Sequence, residues 1–331
     1  MMFMKKKMAW LTALSLIVFA FITAGCQKKA ELPSEKLKVV VTLFPLYDFS
    51  KNIAGDRAQV SLLLPPGVEV HSFEPRPGDI IKMKEADIFI YTGDAMEPWV
   101  QRLLPSVGSD RLKVIDASKG IALAKIGPHD NEGDHGHHHE GEHEGEEDHH
   151  DHGDLDPHIW LDFANAQKMV DTIADGLAAK DTAHKELYGR NATAYKEKLA
   201  SLDQRYRETL ATCEKRHIIH GGHFAFNYLA RRYGLEYESA YPGSPDTEPS
   251  VRRLVELRKK LKKHGLDTVY FEELINPRTA EVIAKETGSK LLKLHGAHNV
   301  TKEEMDQGVT FLQLMEHNLT SLRLGLKCTE K

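Results

Sequence analysis

The sequence predicts an α/β protein built from two lobes, each with a small parallel sheet flanked by helices. Short apolar and β-branched segments alternate with helical segments in both halves of the chain, which is the pattern of parallel βαβ units. A long helical stretch that is poor in glycine and proline separates the two halves. A third feature, a segment without apolar residues, interrupts the first half and cannot contribute to a core.

Each lobe is predicted to combine four strands with several helices. In the first half, strand patterns cover 37–43, 58–64, 86–91 and 112–116, and helical patterns cover 44–55 and 77–85. In the second half, strand patterns cover 216–220, 236–240, 266–271 and 290–294, and helical patterns cover 224–233, 250–264, 277–287 and 302–326. The 331 residues are enough for two such lobes, which we place at 37–163 and 214–331.

Residues 164–213 form the predicted linking helical segment. Apolar residues recur at three- and four-residue spacing between Tyr188 and Tyr206, which marks one buried helical face. A helix of about 30 residues in the second part of this segment would span roughly 45 Å. The sequence therefore predicts a rigid connector, with a cleft between the lobes that it joins.

A low-complexity segment covers residues 127–154. From 129 to 154 it contains nine histidines and eleven acidic residues, with no Lys or Arg. We expect a disordered loop, because such a composition cannot bury a core. The whole chain has a formal charge of only −5, which does not show how strongly acidic this segment is. The rest of the chain has no basic patch that would indicate nucleic-acid binding.

The amino terminus has the pattern of a bacterial secretory signal. Three lysines precede an apolar run within residues 1–25. Cys26 follows a sequence that resembles a lipobox, in which the cysteine is lipidated after cleavage, although Thr23 stands where leucine is usual. We expect a lipid anchor at Cys26 and a polar tether over 26–36; the alternative is an ordinary signal with an incidental cysteine.

Two cysteines remain in the body of the chain, Cys213 and Cys328. They can pair outside the cytoplasm, where disulfides persist. Their distance along the chain leaves the pairing open. Two lone cysteines also make a poor zinc site, because thiolate sites need closely spaced ligands.

Four histidines stand where an α/β fold places its ligand. His71, His223 and His298 each follow a strand pattern, and His158 lies between the acidic segment and a helix. Ligands of open α/β sheets bind beyond the carboxyl ends of the strands, so a cleft between the lobes can bring all four together. Four neutral imidazoles suit zinc in a closed tetrahedral shell, which indicates binding rather than hydrolysis. Manganese, by contrast, prefers oxygen ligands.

The fourth ligand stays open between His298, the neighbouring His295, a carboxylate and water. Glu272 and Glu273 also end a strand pattern and can supply an oxygen ligand or accept an imidazole N–H, whereas Asp156 and Asp162 are candidates only to accept an imidazole N–H. For the two aspartates, capping of the following helix is the alternative. His220 is predicted to be a structural residue at a strand end.

Three sequence motifs resemble those of a known family. PGVEVHSFEP at 66–75, DPHIWLD at 156–162 and HFAFNYL at 223–229 resemble, in this order, the ligand motifs of bacterial zinc and manganese ABC-importer solute-binding proteins, the cluster A-I metal receptors. Residues 246–250 also match a family segment, and the resemblance runs from about residue 37 to the carboxyl terminus. The acidic segment before the second motif is typical of the zinc branch.

The resemblance implies a two-lobed fold joined by one long backbone helix, with the metal in the cleft between the lobes. The manganese branch has glutamate where this chain has His223, and the fourth family position, usually Asp, Glu or water, falls on His298 in this chain. It implies an extracytoplasmic Zn²⁺-binding protein, monomeric and anchored by lipid to the membrane, that delivers zinc to the permease of an ABC importer without catalysis.

Two other functions remain as alternatives. One is a metal-buffering or adhesin surface lipoprotein without a permease. The other is a zinc metallohydrolase, which would need an open metal position and a general base such as Glu272 or Glu273. The paired motif His-Glu-x-x-His does not occur in the sequence. The acidic segment is expected to collect zinc weakly, with incidental metal binding as the other interpretation.

Overall fold

The computed structural model describes residues 36–108, 111–126, 155–241 and 249–329. The predicted signal, Cys26, nearly all of the tether, the acidic segment and residues 246–248 of the family segment lie outside these residues. In the described residues the chain forms two parallel four-stranded sheets flanked by helices, which confirms the predicted fold class. None of the helices in these ranges combines the length and the apolar character that a membrane crossing needs.

Strands and helices largely alternate along the described part of the chain. The strands are β1 (Leu37–Val41), β2 (Ala58–Leu62), β3 (Ile88–Tyr91), β4 (Lys113–Asp116), β5 (Ala124–Lys125), β6 (Leu155–Asp156), β7 (His217–His223), β8 (Glu236–Tyr241), β9 (Thr268–Phe271) and β10 (Lys290–Lys293). The α-helices are α1 (Phe44–Ala54), α2 (Pro77–Glu85), α3 (Trp99–Val107), α4 (Phe163–Lys180), α5 (Lys185–Leu210), α6 (Asn227–Arg232), α7 (Val251–Lys263), α8 (Arg278–Thr287), α9 (Lys302–Asp306) and α10 (Phe311–Gly325).

The two sheets have the same strand order. The first sheet runs β2-β1-β3-β4 and the second β10-β9-β7-β8, with every pairing parallel. In both, the first strand along the chain lies between the second and the third, and the fourth is at the edge beside the third. Central strands such as β3 are buried along their whole length, as expected when helices cover both faces of a parallel sheet.

The long helix α5 packs against α4, α1 and α10. Its 26 residues span about 39 Å. It buries the predicted face, which includes Tyr188, Leu199 and Tyr206. It is shorter than expected because a 3₁₀ turn over Thr182–His184 separates it from α4. A disulfide between Cys213 and Cys328, the pairing that the sequence left open, joins the chain after α5 to the chain after α10.

Several predicted bounds were wrong. Strand β7 continues through two glycines to His223 instead of ending at 220. The predicted helix 302–326 is two helices, α9 and α10, and Gly308 between them has a left-handed φ of 68°. Helix α3 was not predicted, because Pro105 lies inside it and proline normally breaks a helix.

β5 and β6 form a separate two-stranded antiparallel ribbon. In this ribbon Ala124 faces Asp156. β5 ends at Lys125, two residues before the acidic segment begins at 127, and β6 begins at Leu155, directly after the segment ends at 154. The ribbon therefore connects the two ends of the acidic segment to the fold, two residues before His158.

Candidate metal centre

His71 lies in an irregular segment between β2 and α2. Asn299 fixes this segment, since its side-chain amide donates to the carbonyls of Pro65 and Val68, each at 2.8 Å. Asn299 directly follows His298. The loop that carries His298 thus fixes the segment that carries His71.

His223 is the last residue of β7, and Glu272 follows the end of the neighbouring strand β9. The backbone N–H of His223 donates to Glu272 Oε1 at 2.8 Å, and His223 Nδ1 lies 2.6 Å from Glu272 Oε2. The second contact is short but is not aligned as a hydrogen bond. Gly222 is needed at this point because a Cβ at that position would overlap the Glu272 carboxylate.

His298 lies in the loop after β10. Its Nδ1 is 3.6 Å from Glu273 Oε1, while Glu273 Oε2 accepts the N–H of Gly296 at 3.0 Å. The imidazole lies so close over Gly296 that a Cβ there would overlap the ring. The intervening Ala297 has a φ of 59°, a left-handed conformation that non-glycine residues rarely adopt.

His158 follows the ribbon and precedes the 3₁₀ turn of residues Ile159–Leu161. Asp156 Oδ1 accepts the backbone N–H of His158 at 3.1 Å and lies 2.8 Å from His158 Nδ1. The other carboxylate oxygen accepts the side-chain amide of Asn227 at 3.1 Å. The imidazole of His158 is therefore held at Nδ1, which leaves Nε2 free for a metal.

The structure brings the four predicted histidines together. One ligand atom from each of His71, His158, His223 and His298 lies within 4.8 Å of all the others. The Nε2 atom of His223 is 3.3 Å from that of His71 and 3.1 Å from that of His158. Bonds of 2.0–2.1 Å to a tetrahedral zinc would place ligand nitrogens about 3.3–3.4 Å apart. These separations fit one metal ion.

Burial and mutual repulsion keep two of these imidazoles neutral. Burial, followed by the charges of the neighbouring histidines, lowers the pKa of His71 and of His223 well below the ordinary value. Burial alone would also lower the pKa of His298, but the Glu273 carboxylate outweighs it and raises that pKa. A neutral imidazole presents the lone pair that a metal ion requires.

The pKa values of the two glutamates shift in opposite directions. Burial raises the pKa of Glu272. Burial also acts to raise the pKa of Glu273, but the charges of His295 and His298, with hydrogen bonds, bring it to about 2. The Glu273 carboxylate is therefore a negative charge beside the cluster, 3.6 Å from His298 Nδ1, and it does not belong to the group of four.

Other predicted candidates lie outside the group of four. His295 lies between Glu273 and Glu304, with contacts of 3.2 and 3.4 Å, and its Nδ1 accepts the N–H of Ala297. His220 is buried within β7. Asp162 accepts the backbone N–H groups of the first turn of α4 and pairs with Arg232 at 2.6 Å, so it is a helix cap.

Sequence reasoning missed Asn227 and Asn299, which hold the ligand segments. Each acts on a distant part of the chain: 71 residues separate Asn227 from Asp156, and 231 residues separate Asn299 from Val68. Their positions in the sequence could have indicated a role at the site. Asn227 lies inside the third motif, and Asn299 directly follows His298.

Comparison with known proteins identifies the family. Residues 39–325 match the family described as the periplasmic component A of a zinc-uptake complex, ZnuA. The chain belongs to this family. The resemblance seen in the motifs is thereby confirmed, and the family is one of transport components rather than enzymes, so the metallohydrolase alternative is not supported.

Individual relatives agree with this assignment. The zinc-binding lipoprotein AdcA of Streptococcus pneumoniae is 39% identical over 318 residues, which are 96% of this chain and 60% of AdcA. This chain thus spans about three fifths of that relative. The high-affinity zinc uptake system protein ZnuA of Bacillus subtilis is 37% identical over 96% of both chains.

A solved structure shows the same fold with zinc bound. The Zn(II)-bound ZnuA-like domain of Streptococcus pneumoniae AdcA superposes with a TM-score of 0.72 at 36% identity. The superposition covers 88% of this chain and 99% of that domain.

Proposed function

We propose that this protein is an extracytoplasmic zinc receptor that captures Zn²⁺ and delivers it to the permease of an ABC importer. The observation that carries the proposal is the convergence of four imidazoles from four separate segments, each donating one nitrogen within 4.8 Å of the others. The metal ligands would be His71, His158, His223 and His298. The zinc-bound domain of a relative and the names of the zinc-uptake relatives support the choice of metal.

The donor set favours binding over catalysis. Four imidazoles complete a tetrahedral shell, so no position remains for the activated water that hydrolysis requires. His71 comes from the first lobe, whereas His223 and His298 come from the second. A separation of the lobes would divide this ligand set, and this offers a physical route for release of zinc at the permease.

The location and assembly are proposed as well. A lipid at Cys26 and the polar tether over 26–36 would hold the receptor at the outer face of the membrane as a monomer. We propose a first lobe at 37–163, a linking segment at 164–213 and a second lobe at 214–331. The acidic segment at 127–154 would collect zinc weakly, because its imidazoles and carboxylates provide many ligands at high local concentration.

The test is a zinc titration of the soluble form, residues 27–331, with residues 129–154 deleted. We expect one tightly held zinc, which is lost in His71→Ala and in His223→Ala. No tight zinc in the deleted form would overturn the proposal and favour a metal buffer based on the acidic segment, or an adhesin. Unchanged stoichiometry after the deletion would instead count against the collector role alone.

Delivery to a permease has its own test. Loss of the gene should impair growth under zinc limitation, and added zinc should restore that growth. Normal growth under zinc limitation would favour a surface protein that does not serve an importer.

A further inference from the structure

The hydroxyl of Tyr228 is inserted into the ribbon of β5 and β6. Ala124 and Asp156 face each other in this ribbon. The N–H of Ala124 donates to the Tyr228 hydroxyl at 2.8 Å, and the hydroxyl donates to the carbonyl of Asp156 at 3.0 Å. One side chain thus satisfies a donor and an acceptor on the two strands, and all three residues are buried.

Asn227, the preceding residue, holds the side chain of the same aspartate. Its amide donates to Asp156 Oδ2 at 3.1 Å, while Asp156 Oδ1 contacts His158 Nδ1 at 2.8 Å. A carboxylate that is fixed at one oxygen keeps the other in a defined direction. The contacts therefore run from Asn227 through Asp156 to the imidazole of His158.

Asn227 and Tyr228 belong to the same stretch of chain as the ligand His223. Asn227 and Tyr228 begin helix α6, only a few residues beyond His223 at the end of β7. The segment that carries His223 thus forms two hydrogen bonds to Asp156, the residue that contacts His158 Nδ1. The Tyr228 hydroxyl also joins β5 and β6, the two strands that flank the acidic segment in sequence.

We propose that Asn227 and Tyr228 are positioning residues for zinc capture, which act through Asp156 to hold His158 ready for the metal. This inference rests on the proposed zinc-binding function. An imidazole binds zinc through Nε2 only when its proton is on Nδ1, and a fixed carboxylate at Nδ1 selects that tautomer and ring orientation. Asn227 fixes the side chain of Asp156, and Tyr228 fixes its backbone.

The test is a double-mutant cycle on the full-length protein, with zinc affinity measured by competition against a chelator. Asn227→Leu, which removes the donor at similar volume, should weaken zinc binding by about 10–100-fold, the range for loss of an outer-shell partner. In the background of Asp156→Ala, Asn227→Leu should cause no further loss, because its effect passes through that carboxylate. Additive losses, or unchanged affinity in Asn227→Leu, would overturn the role of Asn227.

Tyr228→Phe has a matched control in Tyr206→Phe. The Tyr206 hydroxyl is also buried and donates to a backbone carbonyl, that of Met315, but its bond joins α5 to α10. We expect both variants to lose thermal stability without zinc, and Tyr228→Phe alone to weaken zinc binding, by about tenfold. Equal zinc affinity in the two variants would show that Tyr228 is only structural.

Two further measurements keep the outcomes separate. The absorption spectrum of bound Co²⁺ should change in Asn227→Leu and stay unchanged in Tyr206→Phe, since only the first loosens the carboxylate that orients the ligand His158. If Asn227→Leu does not fold, Asn227→Ala replaces it in the cycle. Equal zinc binding by the wild type and His223→Ala would refute the proposed function itself, whereas a failed cycle with an intact four-histidine site refutes only this inference.

Discussion

The two sheets share one strand order but differ in the residues directly after the third strand of each. In the second lobe, β9 is followed by Glu272 and Glu273, two buried carboxylates. In the first lobe, the corresponding strand β3 is followed by Thr92 and Gly93. The same topology therefore presents two carboxyl groups directly after the third strand of one sheet and none directly after the third strand of the other.

The strand order explains why the two glutamates serve different histidines. β9 lies between β7 and β10. Glu272 contacts His223 at the end of β7, and Glu273 contacts His298 in the loop after β10. One pair of adjacent residues thus supports two ligands from neighbouring strands.

In the first lobe a buried carboxylate serves the fold instead. Glu97 accepts the backbone N–H groups of Thr92 and Gly93 at 3.1 Å and the hydroxyl of Thr42. Within the described residues, no carboxylate lies at hydrogen-bonding distance from His71. The comparison indicates that carboxylates hold His158, His223 and His298 in a preorganised arrangement, to which the segment between β2 and α2 adds His71.

The largest expected effect is the loss of zinc affinity when His223 or His71 is replaced by alanine. The stability of the zinc-free protein should distinguish the two variants. Structural zinc sites gain about 10–16 kcal/mol, so each of four ligands contributes about 3–4 kcal/mol, and either alanine variant should weaken zinc binding by about 100–1000-fold. His223→Ala should also destabilise the zinc-free protein, because it leaves a cavity at a fully buried position, whereas His71 is only partly buried and its loss should have little effect. Chelator competition and thermal unfolding test this, and equal destabilisation by the two variants would contradict the comparison.

The buried Glu97 of the first lobe should make the stability of the protein depend on pH. Burial raises the pKa of Glu97 from 4.5 to about 7, against the effect of its hydrogen bonds. Since the folded pKa exceeds the unfolded one, the stability that Glu97 contributes is complete below pH 4.5 and is lost as the pH rises to 7, about 3 kcal/mol in all.

Glu97→Gln cannot ionise and provides the reference. The stability of the wild type relative to this variant should fall between pH 4.5 and 7, as measured by denaturant unfolding at several pH values. Parallel stability curves for the two proteins would show that folding does not shift the pKa of Glu97.

The sequence predicted the parts of the molecule that depend on local patterns. Apolar and β-branched runs located the strands of both sheets, and the position of His71, His223 and His298 after strand patterns selected residues that the fold brings together. That these histidines bind zinc stays a prediction. Their identification was possible because parallel strands end at a common edge, so position along the chain implies position in space.

Long-range contacts could not be predicted in this way. Asn299 and Val68 are 231 residues apart, and nothing in the local pattern of either indicates the other. The hydroxyl of Tyr228 bridges two strands of a ribbon too short for a periodic signal, and α3 contains a proline that argues against a helix. In each case tertiary packing decides the outcome, and local propensity carries little information about it.

The smallest expected effect concerns the two glutamates themselves. Glu272→Gln and Glu273→Gln keep the volume of the side chain but replace its carboxyl group by an amide, and each should weaken zinc binding by about 10–100-fold. Glu97→Gln, the same change at a buried glutamate of the first lobe, should leave zinc affinity unchanged. Chelator competition measures all three. If Glu97→Gln weakened zinc binding as much as Glu272→Gln, the carboxylates of both lobes would support the site, and its preorganisation would not belong to the second lobe.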